Sequence, residues 1–170
     1  MSLGMMKKCG QYSRRPSSKI APRIGNASVI RPLLLDTGPL GKIAHPRPNP
    51  ELLAWLVRML RGRAEVIIPE ITDFELRRNL LLEGLVESVR RLDELKAVLT
   101  YLPLSTRVML RAAEFWARAR RDGKPTADPK ELDIDVILAA QAHEVRGIVV
   151  TENVGHLALF VEAKDWGEIE

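Results

Sequence analysis

Short runs of consecutive apolar residues alternate along this chain with longer stretches in which apolar positions recur every three or four residues. That alternation predicts strands separated by helices. Leu33-Leu34-Leu35 has the pattern of a buried strand, and it stops at Asp36-Thr37-Gly38-Pro39, a turn by composition. Asn49-Pro50 opens an amphipathic helix carrying Leu52, Leu53, Leu56, Met59 and Leu60, closed by Gly62. Val66-Ile67-Ile68 is the second strand, and Pro69 suits the first position of a helix that runs to about Gly84. A further helix is expected over about Val86 to Leu99, a third strand at Tyr101 to Leu104, and a helix capped by Ser105 that ends near Asp122-Gly123. Lys124 to Lys130 has loop composition. Leu132 to Val145 is a helix whose Val136-Ile137-Leu138-Ala139-Ala140 run is apolar nearly all round, and Ile148-Val149-Val150 is a fourth strand. Strands alternating with helices imply an α/β fold: three α/β/α layers around a central parallel sheet of four to five strands joined by right-handed crossovers.

Charge divides the chain in two. Residues 1–31 contain seven basic residues and no acid, whereas the remaining 19 basic residues face all 22 acidic ones. The overall charge of +4 is therefore a property of an N-terminal arm, and the body is mildly acidic. The arm is rich in Ser, Gly and Pro and lacks an apolar period, so it is expected to be disordered, with residues 32–170 forming the folded domain. A basic arm can touch phosphates without specificity, but a solvated tail is the plainer reading. Aromatic residues make up only 5% of the chain, which disfavours a module built on stacked aromatic platforms. Trp55, Trp116 and Trp166 are read as core or interface residues. The single Cys9 excludes an intramolecular disulfide framework and a cysteine-built zinc site. No apolar run approaches the ~18–20 residues that a membrane span needs; the expected compartment is the cytoplasm, with no membrane partner.

In an open parallel sheet, sites form at the carboxyl ends of the strands, and here those ends carry acids. Asp36 follows strand one; Glu70, Asp73 and Glu75 lie after strand two; Asp133 and Asp135 begin the helix before strand four; Thr151, Glu152 and Asn153 follow strand four. No Ser-His-Asp or Cys-His set competes for the edge, and no glycine-rich phosphate loop follows strand one. Carboxylates crowded at about 4 Å repel by something like 4 kcal/mol in an effective dielectric of about 20, and a hard divalent cation relieves that strain. All-oxygen ligation suits Mg²⁺ or Mn²⁺ and the hydrolysis of phosphodiesters.

Four segments in order carry a resemblance. Leu33-Leu34-Leu35-Asp36-Thr37-Gly38-Pro39-Leu40, Ile68-Pro69-Glu70-Ile71 with Glu75-Leu76-Arg77-Arg78, Asp135-Val136-Ile137-Leu138-Ala139-Ala140-Gln141-Ala142, and Val150-Thr151-Glu152-Asn153-Val154-Gly155-His156-Leu157 together resemble a PIN-domain protein of the VapC-like toxin type, from about Leu33 to the C terminus. The resemblance implies an Mg²⁺- or Mn²⁺-dependent endoribonuclease whose first three acids fall on Asp36, Glu75 and Asp135. Where the family commonly carries a fourth acid, this chain has Asn153, which supplies one negative charge fewer. A small antitoxin that covers the acidic groove and a homodimer are further implications.

Each residue also has a plainer reading. Asp36 can cap a turn, and Glu75 can pair with Arg78 or Asn79 on a helix surface. Glu70 and Asp73 are read as first-turn residues that complement the helix dipole. Asp133 and Asp135 lie about 200° apart around a helix, so one of them faces away: Asp135 is taken as the ligand and Asp133 as an N-cap or outer partner. Thr151 and Asn153 are supporting residues, while Arg77, Arg78 and His156 are candidates for contact with RNA. An aspartyl-nucleophile phosphatase ranks below the nuclease, because the second Asp it needs two residues on is Gly38 here. The non-enzymatic alternative is a weakened PIN-like module that binds RNA or a protein partner.

Overall fold

The computed structural model describes residues 31–128 and 133–170. The predicted N-terminal arm lies outside the described residues except for Arg31, as does the start of the helix expected from Leu132. Arg31 is anchored, donating from Nε to the Arg146 carbonyl at 2.9 Å and from Nη2 to that of Gly147 at 3.0 Å, and it pairs with Glu162.

The chain runs through Leu33–Leu35 (β1), Thr37–Ala44 (α1), Pro50–Arg61 (α2), Val66–Pro69 (β2), Glu70–Leu82 (α3), Val86–Val98 (α4), Thr100–Leu102 (β3), Thr106–Arg121 (α5), Ile134–Val145 (α6), Ile148–Val150 (β4), Val154–Leu157 (α7) and Ala163–Lys164 (β5), and ends in a 3₁₀ turn at Trp166–Glu168. The five strands are all parallel in the order β3-β2-β1-β4-β5, with Leu34 opposite Ile67 on one side and Val149 on the other. The four predicted strands are present. β5 was missed because a two-residue strand has no period to read.

Alternation along the strands divides the interior into two layers. Leu33, Leu35, Val66, Ile68 and Val150 pack on one face against Leu40 and Ile43 of α1, Trp55 of α2 and Leu92 of α4. Leu34, Ile67 and Val149 pack on the other against α5, α6 and Leu157 of α7. The all-apolar run of α6 is buried from Val136 to Ala142, as its pattern requires. Within it Gln141 is fully buried: its Nε2 donates to the Leu102 carbonyl at 2.8 Å, and its Oε1 accepts from Ile71 N at 3.4 Å. This one side chain ties α6 to β3 and to the start of α3. α3 in turn crosses the carboxyl edge of the sheet, with Ile71 in one layer and Leu76 in the other.

The expected turn after β1 is instead an eight-residue helix. Gly38 and Pro39 argue against helix by propensity, but both sit in the first turn, where backbone N–H groups have no intrahelical partner and a proline is tolerated. Asp36 caps the helix, and the first closing bond runs from Leu40 N to the Asp36 carbonyl at 3.0 Å. Pro69 precedes α3 as its N-cap rather than forming its first residue.

Candidate functional site

The strand order reverses between β1 and β4, and the residues that follow these two strands meet there. Asp36 N donates to the Val150 carbonyl at 3.0 Å, which fixes the backbone at the end of β1 beside the end of β4. The carboxylate is then held at both oxygens: Oδ1 accepts from Thr37 N at 2.7 Å and Oδ2 from the Thr151 hydroxyl at 2.7 Å. Thr151 is fully buried, and its Oγ1 also accepts from Asn153 N at 2.9 Å. One hydroxyl thus orients the first acid and shapes the loop after β4.

Glu75 comes from the second turn of α3. Its Oε2 accepts a 2.5 Å hydrogen bond from the Thr37 hydroxyl, so the residue beside Asp36 carries the link to the second acid. Helices α1 and α3 come this close because Gly41 has no side chain; a Cβ there would lie 3.3 Å from Leu76 Cδ1. Arg78 Nη2 is 3.9 Å from Glu75 Oε1, and its guanidinium lies over the Phe74 ring.

Asp135 projects from the first turn of α6 with its side chain 28% exposed, and its Oδ2 lies 3.4 Å from His156 Nδ1. That imidazole nitrogen is also 3.3 Å from the Asn153 side-chain amide, so the loop after β4 leans on the third acid. Burial first, and the neighbouring charge of Asp36 next, push the Asp135 carboxyl above the usual carboxylate range, with Asp133 adding to the push and His156 opposing it. Asp36 and Asp135 therefore share one negative field. Asp133 itself is buried and serves as the N-cap of α6, accepting from Val136 N at 3.4 Å and from the Thr126 hydroxyl at 2.6 Å.

A carboxyl whose folded-state pKa is raised favours the folded state most when protonated, and that contribution is lost as pH rises through the raised value. Ionised Asp135 is consequently a strain on the metal-free protein at neutral pH. Asp135→Asn should raise the metal-free Tm at pH 7.5. Thermal unfolding in EDTA checks this; an unchanged or lower Tm would contradict the crowding. The gain should shrink as the pH is lowered into the range where Asp135 is protonated.

The remaining acids at this edge do other work. Glu70 Oε2 accepts from Leu104 N at 2.6 Å and fastens the segment after β3. Asp73 is 5% exposed and gathers Arg77 at 2.9 Å, Lys96 at 2.8 Å and the Tyr101 hydroxyl at 3.3 Å. Burial, with the charges of Asp73 and Glu70, pushes the Tyr101 hydroxyl up to about 12. Arg77, expected as an RNA contact, is held between Asp73 and Asp93, at 2.9 and 2.7 Å, and joins α3 to α4. A first-turn Asp and an Arg four residues on signal a local pair, but the convergence of α4 and β3 on that pair has no sequence signature. Thr37 was passed over at this edge, and Glu152 was named at the end of strand four but given no role. The signal for Thr37 was a hydroxyl directly after the first acid, and Glu152 pairs with Lys42 at the mouth of the site.

The donors at this edge are oxygen-rich and anionic, which is the chemistry of a hard divalent cation. Among the described residues, no group of three or more His, Cys, Asp or Glu side chains is arranged so that it could hold a metal ion. Asp36 and Asp135 are paired by their shared field, and Glu75 is joined to them through Thr37. No helix among the described residues is long and apolar enough to cross a membrane.

A profile of the PIN domain matches residues 33–158. No curated protein matches the sequence. Among solved structures, VapBC2 from Rickettsia felis bound to a DNA fragment from its promoter is similar over 79% of this chain and 98% of that one, with TM-score 0.67 and 15% identity. FitAcB from Neisseria gonorrhoeae is similar over 81% and 99%, with TM-score 0.58 and 24% identity. VapBC-1 from nontypeable Haemophilus influenzae is similar over 80% and 98%, with TM-score 0.63 and 20% identity. At these identities the likeness is one of fold.

Proposed function

The chain belongs to the PIN-domain family, a family of nucleases, and from that premise we propose that it is an Mg²⁺- or Mn²⁺-dependent endoribonuclease that hydrolyses RNA phosphodiester bonds. The observation that carries the reading is the double anchoring of Asp36 by Thr151 and Thr37 N beside the raised carboxyl of Asp135. Anchored carboxylates that repel each other are organised for a cation rather than for stability.

In this reading Asp36, Glu75 and Asp135 hold the ion. When bound, it would neutralise charge at the scissile phosphate and favour ionisation of an attacking water. Thr151 keeps Asp36 oriented, Thr37 binds one oxygen of Glu75, and the other, 3.9 Å from Arg78, would have to turn from that cation toward the ion. Asn153 and His156 close the side of the site next to Asp135, where in this reading the imidazole would touch phosphate or move a proton. The proposed reaction is hydrolysis by water without a covalent enzyme intermediate. The role of toxin in a toxin–antitoxin pair, with a small antitoxin over the acidic groove and a homodimeric assembly, is part of the same proposal. It is supported by similarity to VapBC and FitAcB structures.

A metal titration separates the enzyme from a weakened binding module, which Asn153 at the fourth position favours. At about a hundred times its Kd, Mn²⁺ should stabilise the wild-type protein by about 2.7 kcal/mol and raise Tm by about 5–10 °C, and EDTA should stop RNA cleavage. RNA binding with a flat Tm and no cleavage would favour the module instead.

A further inference from the structure

Next to the carboxylates, α1 and the turn that follows it border an open groove of about 400 Å³ lined by Gly38, Gly41, Lys42, His45, Arg47 and Asn49. Its charge is opposite to that of the site it adjoins. Lys42 pairs with Glu152 at the boundary, where a Cβ on Gly38 would come within 3.8 Å of Glu152 Oε2. The His45 ring is latched to the backbone, with Nδ1 3.0 Å from Arg47 N, so Nε2 is its remaining polar atom. Asn49 Oδ1 is occupied by Glu51 N and Leu52 N, each at 3.0 Å, which leaves its amide hydrogens for a ligand. Arg47 is exposed, and its guanidinium has no carboxylate partner among the described residues. The lining of the groove therefore presents donors and cations and no carboxylate, and Glu152 at its boundary is already paired.

A phosphodiester strand cannot be held by a cluster of carboxylates alone, because the two repel; affinity has to come from cationic groups beside the cluster. Of the arginines expected to supply it, Arg77 is held by Asp73 and Asp93, and Arg78 stands half-exposed beside Glu75 and over Phe74, on the α3 side of the cluster. We propose that the α1 groove is the track of the substrate strand next to the scissile bond, with Arg47 and His45 holding a neighbouring phosphate and Lys42 leaving Glu152 to share it. The proposal rests on the nuclease reading and names the substrate-positioning surface of that site. Arg47 suits the role because its planar fork matches two phosphate oxygens. Continuity with the carboxylate edge through Gly38 favours a nucleic-acid strand over an acidic peptide, since a strand places its phosphates at successive points along one path. α1 extends about 12 Å from its cap to its last residue, so a short length of strand reaches both zones.

The test compares the full-length wild type with Arg47→Glu, Arg47→Lys and His45→Gln in Mn²⁺, on a single-stranded RNA oligonucleotide and on a dinucleoside monophosphate, which has one phosphodiester and no flanking phosphate. On the oligonucleotide, Arg47→Glu should raise KM about 10-fold with kcat within about two-fold, and lower the salt slope by about 0.7 for the lost phosphate contact. Arg47→Lys should recover most of the affinity, His45→Gln should raise KM by less, and the dinucleoside should be cleaved equally by all four proteins. An unchanged KM on the oligonucleotide overturns the proposal. So does an equal loss on the dinucleoside, or a lowered Tm that accounts for the loss, the result expected if Lys42 and His45 merely complement the negative end of α1. Binding of an acidic peptide that depends on Arg47 while RNA parameters do not also overturns it. If the wild type cleaves no RNA, the nuclease reading fails by itself, and anisotropy of a labelled RNA oligonucleotide with wild type and Arg47→Glu still decides the groove.

Discussion

Asp36→Asn should lower metal-dependent RNA cleavage on the order of 10³-fold, equivalent to about 4 kcal/mol of lost transition-state stabilisation, while the fold stays intact. The reason lies in the division of labour around this side chain. Its Oδ1 caps α1 through Thr37 N, and its Oδ2 takes the Thr151 hydroxyl. An asparagine retains the cap, because its oxygen can still accept from Thr37 N, and the rotatable Thr151 hydroxyl can accept from the new amide. The negative charge is what disappears, and with it one of the three charges proposed to hold the ion. Circular dichroism and Tm should therefore match the wild type within about 1 kcal/mol while cleavage collapses. Undiminished cleavage would remove Asp36 from the site, and a collapsed fold would make its role one of capping. Read with Asp135→Asn, which should gain metal-free stability as it loses activity, the pair separates electrostatic crowding from catalysis.

Gly147→Ala is expected to be the most damaging glycine-to-alanine change among the described residues, costing about 3 kcal/mol and lowering Tm by about 6–12 °C. Gly147 stands between the end of α6 and β4, and a Cβ there would be 2.2 Å from Leu34 Cδ1 and 2.9 Å from the Pro32 carbonyl. Leu34 is fully buried at the centre of the sheet, and the Pro32 carbonyl accepts from Ile148 N at 2.8 Å. Neither can withdraw without opening the β1–β4 pairing on which Asp36 and Thr151 sit. Chemical denaturation of the purified variant checks the figure, and a loss under about 0.5 kcal/mol would show that Leu34 repacks freely. Because the damage falls on the strand pair beneath the site, Mn²⁺ affinity should weaken along with stability.

The strands, the main helices and the position of Asp36, Glu75 and Asp135 at the carboxyl edge of the sheet could be read from the chain, because each rests on a local pattern or on the order of segments. The apolar runs at Leu33, Val66 and Ile148 are buried strands whatever surrounds them. Asn49, Ser105 and Asp133 each cap the helix they precede, accepting backbone N–H groups that lie two or three residues away. α1 was misread because a glycine and a proline count against a helix on average but not in its first turn.

Contacts between groups far apart in the chain were of another kind. That Thr37 reaches Glu75, that Thr151 grips Asp36 across 115 positions, and that Arg77 is drawn into the Asp73 cluster depend on how helices cross the edge of the sheet. The cationic groove along α1 likewise exists only because that segment is a helix and Lys42 comes to rest beside Glu152. Local composition dictates which residue types are present and which backbone each prefers, since those energies act within a turn of helix or a few residues of strand. Which charges meet, and which are already neutralised before a substrate arrives, is set by packing between elements, where a Coulomb interaction depends on distance in space and not on separation along the chain.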